Sequence, residues 1–304
     1  MSLKEIIQEG TTLLSTLYPG REAREMVLRY LESILPISRH THIIEPYYKV
    51  SENDVKIIRD AFSRMASGEP LQYVTRIAYF YGREFTVSPD VLIPRPETEI
   101  LCRTVLDFAA GKGLQSVPAK PSDLRILDLC TGSGCIAWTL ALEMPGAQVT
   151  AVDISDAALS IASSQDFSDE MSRTGALIPD FIKADVLSNH LEWSRETSLH
   201  QFDIIVSNPP YVMESEKALM RTNVLEHEPH LALFVPDNDP LVFYRAIARW
   251  ALLFLKPGGY GLVEINEALS FDTEEIFRDL KFADVCTIND LNDRPRFVFF
   301  RSRI

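Results

Sequence analysis

The sequence predicts an α/β protein whose main part is a largely parallel sheet with helices on both faces. From Leu124 onward, short apolar runs alternate with helical segments, a pattern typical of parallel strands joined by helical crossovers. The apolar runs that predict strands are 124–129, 147–152, 178–183, 202–207 and 259–265. The helical segments lie near 134–143, 156–165, 240–254 and 269–280. Two final apolar runs, 283–288 and 296–301, predict a hairpin at one edge of the sheet.

A small helical domain is predicted ahead of this sheet, over residues 1–75. Apolar residues recur there at helical spacing, and Ser51 with Asp54 predicts the capped start of a helix that ends at Gly68. The pattern then changes to strands on either side of Gly82-Arg83, at 78–81 and 84–87. This change predicts a β-hairpin connector over residues 76–93.

The α/β part is predicted over residues 94–304. A proline-stiffened loop at its start opens a helix over about 97–110. Residues 111–123 are rich in Gly, Pro, Ser and Lys, which predicts a linker. The polar stretch from Ser163 to Gly175 predicts a surface insertion.

Composition and charge disfavour several classes of protein. No apolar run approaches the roughly 18 to 20 residues that a membrane span needs, and the N-terminus lacks the apolar region of a signal peptide. A cytoplasmic protein is therefore expected. The 4 cysteines and 6 histidines show no zinc-ligand spacing, so no metal is predicted. A net charge of −13 disfavours direct nucleic-acid binding and suits a basic protein partner better.

A strand that runs into a glycine-containing turn predicts a cradle for a nucleoside cofactor. The turn is Cys130-Thr131-Gly132-Ser133-Gly134, and its glycines let the backbone approach a ligand closely. The next strand ends in Asp153, whose carboxylate can accept both ribose hydroxyls of an adenosine group. Asp185 closes the following strand, and its neighbourhood is expected to face the adenine, with Val186 supplying a backbone amide.

Three features favour S-adenosylmethionine over NAD as the cofactor. The loop lacks the second spacing of the GxGxxG pattern of dinucleotide sites. Asp128 precedes the loop and could meet a cationic sulfonium or ammonium group. The predicted strand 202–207 ends in a motif that hydride transfer does not need.

That motif is Asn208-Pro209-Pro210-Tyr211, and its chemistry suits methyl transfer to a planar amide or amino nitrogen. Such a nitrogen is a poor nucleophile, because its lone pair is delocalised, so it needs orientation more than a strong base. The Asn208 side-chain oxygen and the Pro209 carbonyl can each accept one N–H of the substrate NH2 group. Proline adds no competing donor, and Tyr211 can stack on the planar acceptor.

Several alternatives remain open at this level. An adenine-N6 DNA or RNA methyltransferase would face the same chemical problem and could use the same four residues, although it must also grip phosphates. A non-catalytic protein with a nucleoside-binding fold would not need Asn208. An NAD enzyme is disfavoured by the loop pattern.

These motifs together resemble a known family. The loop and the tetrad Asn208–Tyr211 look like those of class I amino-methyltransferases. Gly68-Glu-Pro-Leu-Gln-Tyr73 and Leu92-Ile-Pro-Arg-Pro-Glu-Thr-Glu99 resemble the bacterial protein-(glutamine-N5) methyltransferases of peptide chain release factors, the PrmC/HemK family. The resemblance covers nearly the whole chain. Glu228-Pro229 followed by Ala232-Leu233 matches the segment after the tetrad.

The resemblance implies a fold, a reaction and a set of site residues. The fold is a seven-stranded, Rossmann-like class I methyltransferase domain behind a helical substrate-recognition domain, in a chain expected to be a monomer. The donor is S-adenosylmethionine, and the acceptor is the Gly-Gly-Gln glutamine of class I release factors. The implied cofactor contacts are Arg95, Pro96, Thr98, Cys130, Thr131, Gly132, Ser133, Gly134, Asp153, Asp185, Val186 and Asn208. Asn208, Pro209, Pro210 and Tyr211 bind the acceptor.

One position departs from the family pattern. The family usually has glycine where this chain has Cys130. The Cys130 side chain is therefore expected to point away from the methionine part of the cofactor.

Overall fold

A computed structural model describes residues 1–112, 120–188 and 201–303 of the chain. These residues divide into two units, Met1–Ile77 with Met220–Glu228, and Ala78–Leu219 with Pro229–Ile304. Each unit has its own apolar core. None of the helices in the described ranges combines the length and the apolar character that crossing a bilayer would require.

The first unit is helical, as the sequence predicts. Its helices are α1 (Leu3–Leu14), α2 (Gly20–Ile34), α3 (Thr41–Ile44), α4 (Glu52–Ala66), α5 (Leu71–Thr75) and α10 (Thr222–His227). The predicted cap of α4 is confirmed, because the Asp54 N–H donates to the Ser51 hydroxyl at 3.1 Å. Apolar faces of α1, α2 and α4 meet in the core of this unit, which includes Leu31 and Phe62.

The hairpin connector forms one residue earlier than predicted. Its strands are β1 (Ile77–Phe80) and β2 (Arg83–Thr86), so the turn is Tyr81-Gly82 and not Gly82-Arg83. Both turn residues have positive φ, 50° and 75°, the combination that a tight two-residue hairpin turn needs. Arg83 instead lies on β2, where its guanidinium bonds Glu143 and Glu170.

The second unit contains a seven-stranded sheet. Its strands are β3 (Arg125–Leu129), β4 (Gln148–Asp153), β5 (Asp180–Lys183), β6 (Phe202–Ser207), β9 (Leu255–Glu264), β10 (Ala283–Asn289) and β11 (Pro295–Arg301). The order is β10-β11-β9-β6-β3-β4-β5, and β11 alone in this described sheet runs antiparallel to both neighbours, β9 and β10. This is the α/β sheet that the sequence predicts, with the expected hairpin at one edge.

Helices cover both faces of this sheet. They are α6 (Pro96–Ala109), α7 (Cys135–Glu143), α8 (Asp156–Ser163), α9 (Ser168–Thr174), α11 (Val242–Phe254) and α12 (Ser270–Asp279). Successive residues of β3 enter different cores, since Ile126 packs in one apolar cluster and Leu127 in the other. This alternation is what a strand buried on both faces requires.

Most of the stretch 163–175 is exposed, as its polarity predicts, but part of it packs against the rest of the protein. It contains α9, and the Phe167 ring packs 5.2 Å from that of Phe85 and 5.3 Å from that of Trp138. The Gln165 side chain accepts from the Thr86 N–H at 2.8 Å and donates to the Thr86 carbonyl at 2.9 Å. Two inward-pointing side chains in an otherwise polar stretch produce neither helical nor strand periodicity. The sequence pattern therefore does not predict this packing.

The sheet order creates a switch point at β3. The chain continues from β3 to β4 and β5 on one side, and to β6 and β9 on the other, and ligands of open α/β sheets bind where the order reverses. Leu129 pairs with Ser207 across β3 and β6. Consequently, the next residues, Cys130 and Asn208, leave the sheet side by side.

Candidate active site

The loop Cys130–Gly134 connects β3 to α7 and adopts an unusual backbone. Cys130, Gly132 and Gly134 all have positive φ, at 62°, 56° and 79°. A Cβ at Gly134 would lie 3.0 Å from the Ala162 Cβ, so helix packing favours glycine there. A Cβ at Gly132 would meet no atom within 4 Å, which means that the backbone here borders open space.

The Asp128 side chain forms a hydrogen bond to this loop and does not line the cavity. It is fully buried on β3, and its carboxylate accepts the Thr131 hydroxyl at 2.7 Å. Burial raises the pKa of Asp128 to about 7, against the bond from Thr131, which lowers it. Asp128 is not among the residues that line the cavity, and its expected contact with a cofactor cation stays a prediction.

The two acids at the strand ends are held by backbone groups. The Asp153 carboxylate accepts from the Gly132 N–H at 2.9 Å and from the Ser155 N–H at 3.0 Å. Burial raises the pKa of Asp153, and these two N–H groups act in the opposite direction. The Asp185 carboxylate accepts from the Leu187 N–H at 2.9 Å and the Ser188 hydroxyl at 2.7 Å. Both acids are thus fixed at the carboxyl edge of the sheet.

A single cavity brings most of the predicted site residues together. Those that line it are Arg95, Thr98, Cys130, Thr131, Gly132, Ser133, Asp153, Asp185, Val186, Asn208 and Pro210. Four described residues predicted for the site, Pro96, Gly134, Pro209 and Tyr211, do not line it. The first two instead shape α6 and α7, where Pro96 is the first residue of α6 and Gly134 caps α7.

The cavity also has lining residues that the sequence did not predict. Ile154 and Ser155 follow Asp153, and Leu187 lies two residues after Asp185. Their closeness to the strand-end acids is a sequence signal from which they could have been predicted. Leu231 and Phe243 come from distant segments and carry no local signal. A short parallel pair, β7 (Val212–Met213) with β8 (Phe234–Val235), connects the segment after the tetrad to the segment after residue 232.

Asn208 bonds Thr98 on α6, which in turn bonds Glu264 on β9. Its Nδ2 donates to the Thr98 hydroxyl at 3.1 Å, and that hydroxyl donates to Glu264 Oε2 at 2.7 Å. Glu264 Oε1 accepts from the Tyr211 hydroxyl at 3.0 Å. Thr98 and Glu264 are 2% and 1% exposed, and Asn208 is half-buried at the cavity wall.

Glu264 bonds two of the predicted site residues, Thr98 and Tyr211, and sequence reasoning missed it. Burial raises the pKa of this carboxyl, while the bonds from Thr98 and Tyr211 lower it. The signal was present, since an acid ends the apolar run of β9, but its partners lie on other elements. Tyr211 has a different environment from the predicted one: its hydroxyl is committed to Glu264, and the stacking of its ring on an acceptor stays a prediction.

Family models match both parts of the chain. The PrmC N-terminal domain matches residues 5–75, and the Methyltransferase small domain matches residues 95–231, which include the loop, both acids and the tetrad. A release factor glutamine methyltransferase from Flavobacterium psychrophilum is 35% identical over 99% of this chain and 100% of its own length. The chain belongs to the release factor glutamine methyltransferase family.

Other similarities agree with this family. A member from Bacteroides thetaiotaomicron is 37% identical over 94% of this chain and 95% of its own length. Among solved structures, the hMettl16 catalytic domain in complex with MAT2A 3′UTR hairpin 6 has a TM-score of 0.52 at 14% identity, covering 79% of this chain and 81% of that one. At that identity, the likeness concerns the methyltransferase fold alone.

The methyl donor is S-adenosylmethionine, and the cavity fits it. Open space beside Gly132 allows a ligand to approach the backbone, and Asp153 retains free lone pairs for ribose hydroxyls. Cys130 lines the same cavity, and burial raises the pKa of its thiol, so the thiol stays protonated.

Replacing Cys130 with glycine should stabilise the protein. Cys130 occupies the left-handed region, which costs a non-glycine residue about 1–2 kcal/mol, offset by about 0.5–1 kcal/mol of extra chain entropy for glycine. We expect the free energy of unfolding to rise by about 0.5–1 kcal/mol, measured by urea denaturation. Cys130→Ala keeps the Cβ and should show no such gain. A loss of stability in Cys130→Gly would contradict the strain argument.

Replacing Asp153 with asparagine should weaken cofactor binding. Asparagine places an NH2 group against the backbone donor of Gly132 or Ser155 and removes the charge that ribose hydroxyls meet. Calorimetric titration should show a Kd for S-adenosylmethionine raised roughly tenfold or more, the size of a lost charge-assisted bond. Asp156→Asn, on an exposed neighbour that pairs with Lys183, is the matched control. Equal affinity in both variants would show that the ribose lies elsewhere.

Proposed function

We propose that this protein transfers a methyl group from S-adenosylmethionine to the side-chain nitrogen N5 of the glutamine in the Gly-Gly-Gln motif of class I release factors. Membership of the family supports this acceptor, since the relatives from Flavobacterium psychrophilum and Bacteroides thetaiotaomicron are both named release factor glutamine methyltransferase. The observation that carries the proposal is the Asn208 amide, which is anchored through its nitrogen at the wall of the cofactor cavity.

The proposed chemistry follows from the tetrad. The Asn208 side-chain oxygen and the Pro209 carbonyl accept the two N–H groups of the glutamine amide, which holds the nitrogen with its lone pair toward the cofactor cavity. The cofactor, when bound, supplies a methyl group on a cationic sulphur. The nitrogen–carbon bond forms as the carbon–sulphur bond breaks, and the surplus amide proton then leaves to water. Because the acceptor nitrogen is weakly basic, orientation by these oxygens replaces a general base.

The remaining residues are assigned supporting roles. Asp153 binds the ribose, the Asp185–Val186 corner adjoins the adenine, and the 130–134 loop contacts the methionine part. Arg95 and Thr98 line the same cavity. We assign substrate recognition to the helical domain over residues 1–75, the hairpin connector to 76–93 and catalysis to 94–304. We expect a cytoplasmic monomer that binds release factor transiently and does not bind nucleic acid directly.

The acceptor is tested by incubating the protein with methyl-labelled S-adenosylmethionine and one of three substrates: release factor, DNA or RNA. Label should enter release factor and should be lost when the Gly-Gly-Gln glutamine is replaced by alanine. Mass spectrometry should place one methyl group on that glutamine. Label on DNA or RNA in place of release factor would favour adenine-N6 methylation and overturn the proposal.

Replacing Asn208 with alanine should remove turnover and leave the cofactor bound. Loss of one positioned polar group typically lowers kcat by about 100-fold or more. We expect that loss in single-turnover assays, with the Kd for S-adenosylmethionine close to that of the unaltered protein. Asn289→Ala, on an exposed asparagine of β10, serves as the control. Full turnover in Asn208→Ala would exclude the proposed role of the amide.

A further inference from the structure

A buried chain of hydrogen bonds lies directly behind Asn208. It begins at the Glu264 carboxylate at the end of β9, passes through the Thr98 hydroxyl in the first turn of α6, and ends at Nδ2 of Asn208. The distances are 2.7 Å for the first bond and 3.1 Å for the second. All three residues belong to the second unit.

The protons of this chain can be placed by counting donors. Glu264 accepts at both of its oxygens, at Oε2 from the Thr98 hydroxyl and at Oε1 from the Tyr211 hydroxyl, so the single proton of the Thr98 hydroxyl points at Glu264. The Thr98 oxygen can then only accept from Asn208, and the part of the Asn208 amide that can donate is its NH2 group. The Asn208 oxygen must therefore face away from Thr98.

The same carboxylate is fixed on its other side. Glu264 Oε1 accepts from the Tyr211 hydroxyl, and Asn266 donates to the Tyr211 carbonyl at 3.2 Å. With both oxygens engaged, Glu264 cannot rotate to release Thr98 without leaving a buried donor unpaired, which is unfavourable.

We infer that Thr98 and Glu264 are positioning residues, which hold the Asn208 amide in the one orientation that presents its oxygen to the acceptor NH2 group. This inference rests on the proposed function and deepens it. Without the chain, the amide of Asn208 can rotate by half a turn and present its own NH2 group to the substrate. Two NH2 groups that face each other cannot form the bond that orients the nitrogen.

The buried position of Glu264 supports a directional role. A carboxylate that is 1% exposed is costly to desolvate, and an apolar residue would pack there without that penalty. The carboxylate has a property that an apolar residue or a neutral amide lacks, because both of its oxygens accept and neither donates. Because Glu264 only accepts, the Thr98 hydroxyl must donate to it, and the Asn208 NH2 group must donate to Thr98.

The decisive variant is Thr98→Val, which keeps the branched shape and removes the hydroxyl. We expect kcat for glutamine methylation to fall by about 10- to 100-fold, as small misplacements of a reacting group do. Thr98→Ser keeps the hydroxyl and should restore kcat to within about threefold of the unaltered protein. Thr104→Val removes another hydroxyl from α6, one that bonds the Ile100 carbonyl, and is the matched control.

A second variant tests whether Glu264 acts through Thr98. In Glu264→Gln, the side-chain nitrogen can donate to Thr98, which lets the Thr98 hydroxyl donate to the Asn208 oxygen and turn the amide. We expect a lower kcat in this variant, and a Thr98→Val/Glu264→Gln double variant no slower than Thr98→Val alone. Additive losses in the double variant would mean that the two residues act separately and would overturn the inference.

The orientation can also be measured without turnover. In protein labelled with nitrogen-15 at asparagine, the Asn208 side-chain signal is assigned by its loss in Asn208→Ala. Its protons should exchange with water slowly in the unaltered protein and measurably faster in Thr98→Val. This readout separates the two proposals, since an enzyme that methylates another acceptor would still show the protected amide.

Unchanged kcat and unchanged amide exchange in folded Thr98→Val would overturn the positioning role and leave the glutamine methyltransferase proposal standing. An equal loss of kcat in Thr98→Ser would also overturn it, because the hydroxyl would then be irrelevant. Thermal unfolding of each variant establishes that the protein compared is folded.

Discussion

The buried carboxylate of Glu264 is the constraint on which the acceptor side of the site depends. A carboxylate removed from water must have donors, and here they come from the first turn of α6 and from the last residue of the tetrad. Three segments far apart in the chain are thereby fixed to one point at the end of β9. The cost of burying Glu264 is offset only when all of them are in place, so the geometry around Asn208 is an all-or-none property of the fold.

The sheet also positions the residues that line the cavity. Parallel strands end at one edge, and the pairing of Leu129 with Ser207 brings the loop and the tetrad out of the sheet together. On the other side of β3, the pairing of Val152 with Ile182 places the ends of β4 and β5 together, where Asp153 and Asp185 follow. In the proposed assignment, cofactor binding therefore draws on β3, β4 and β5, whereas the acceptor residues draw on β6, β9 and α6.

The sequence alone predicted what is local. Strand–turn–helix patterns, the glycine turn, the strand-end acids and the tetrad are contiguous signals, and the structure brings most of them to one cavity. Contacts between residues distant in the chain have no such signal: Thr98 and Glu264 are 166 positions apart. The burial of single side chains has no such signal either, because polarity alone cannot show that Phe167 and Gln165 point inward. The hairpin turn lies one residue earlier than predicted. Tyr81 adopts a positive φ in this turn, a conformation that usually favours glycine.

The direction of the hydrogen-bond chain has an electrostatic consequence for the reaction. Donation of the Thr98 hydroxyl to Glu264 makes the Thr98 oxygen a better acceptor for the Asn208 NH2 group, and such polarisation adds along a chain. A stronger bond at the nitrogen of an amide shifts electron density to its oxygen. In the proposed mechanism, the Asn208 oxygen therefore becomes more negative where it meets the substrate N–H, and this matters most as the attacking nitrogen gains positive charge during methyl transfer. A buried acceptor placed two hydrogen bonds behind Asn208 thus favours the transition state of the proposed reaction over its ground state.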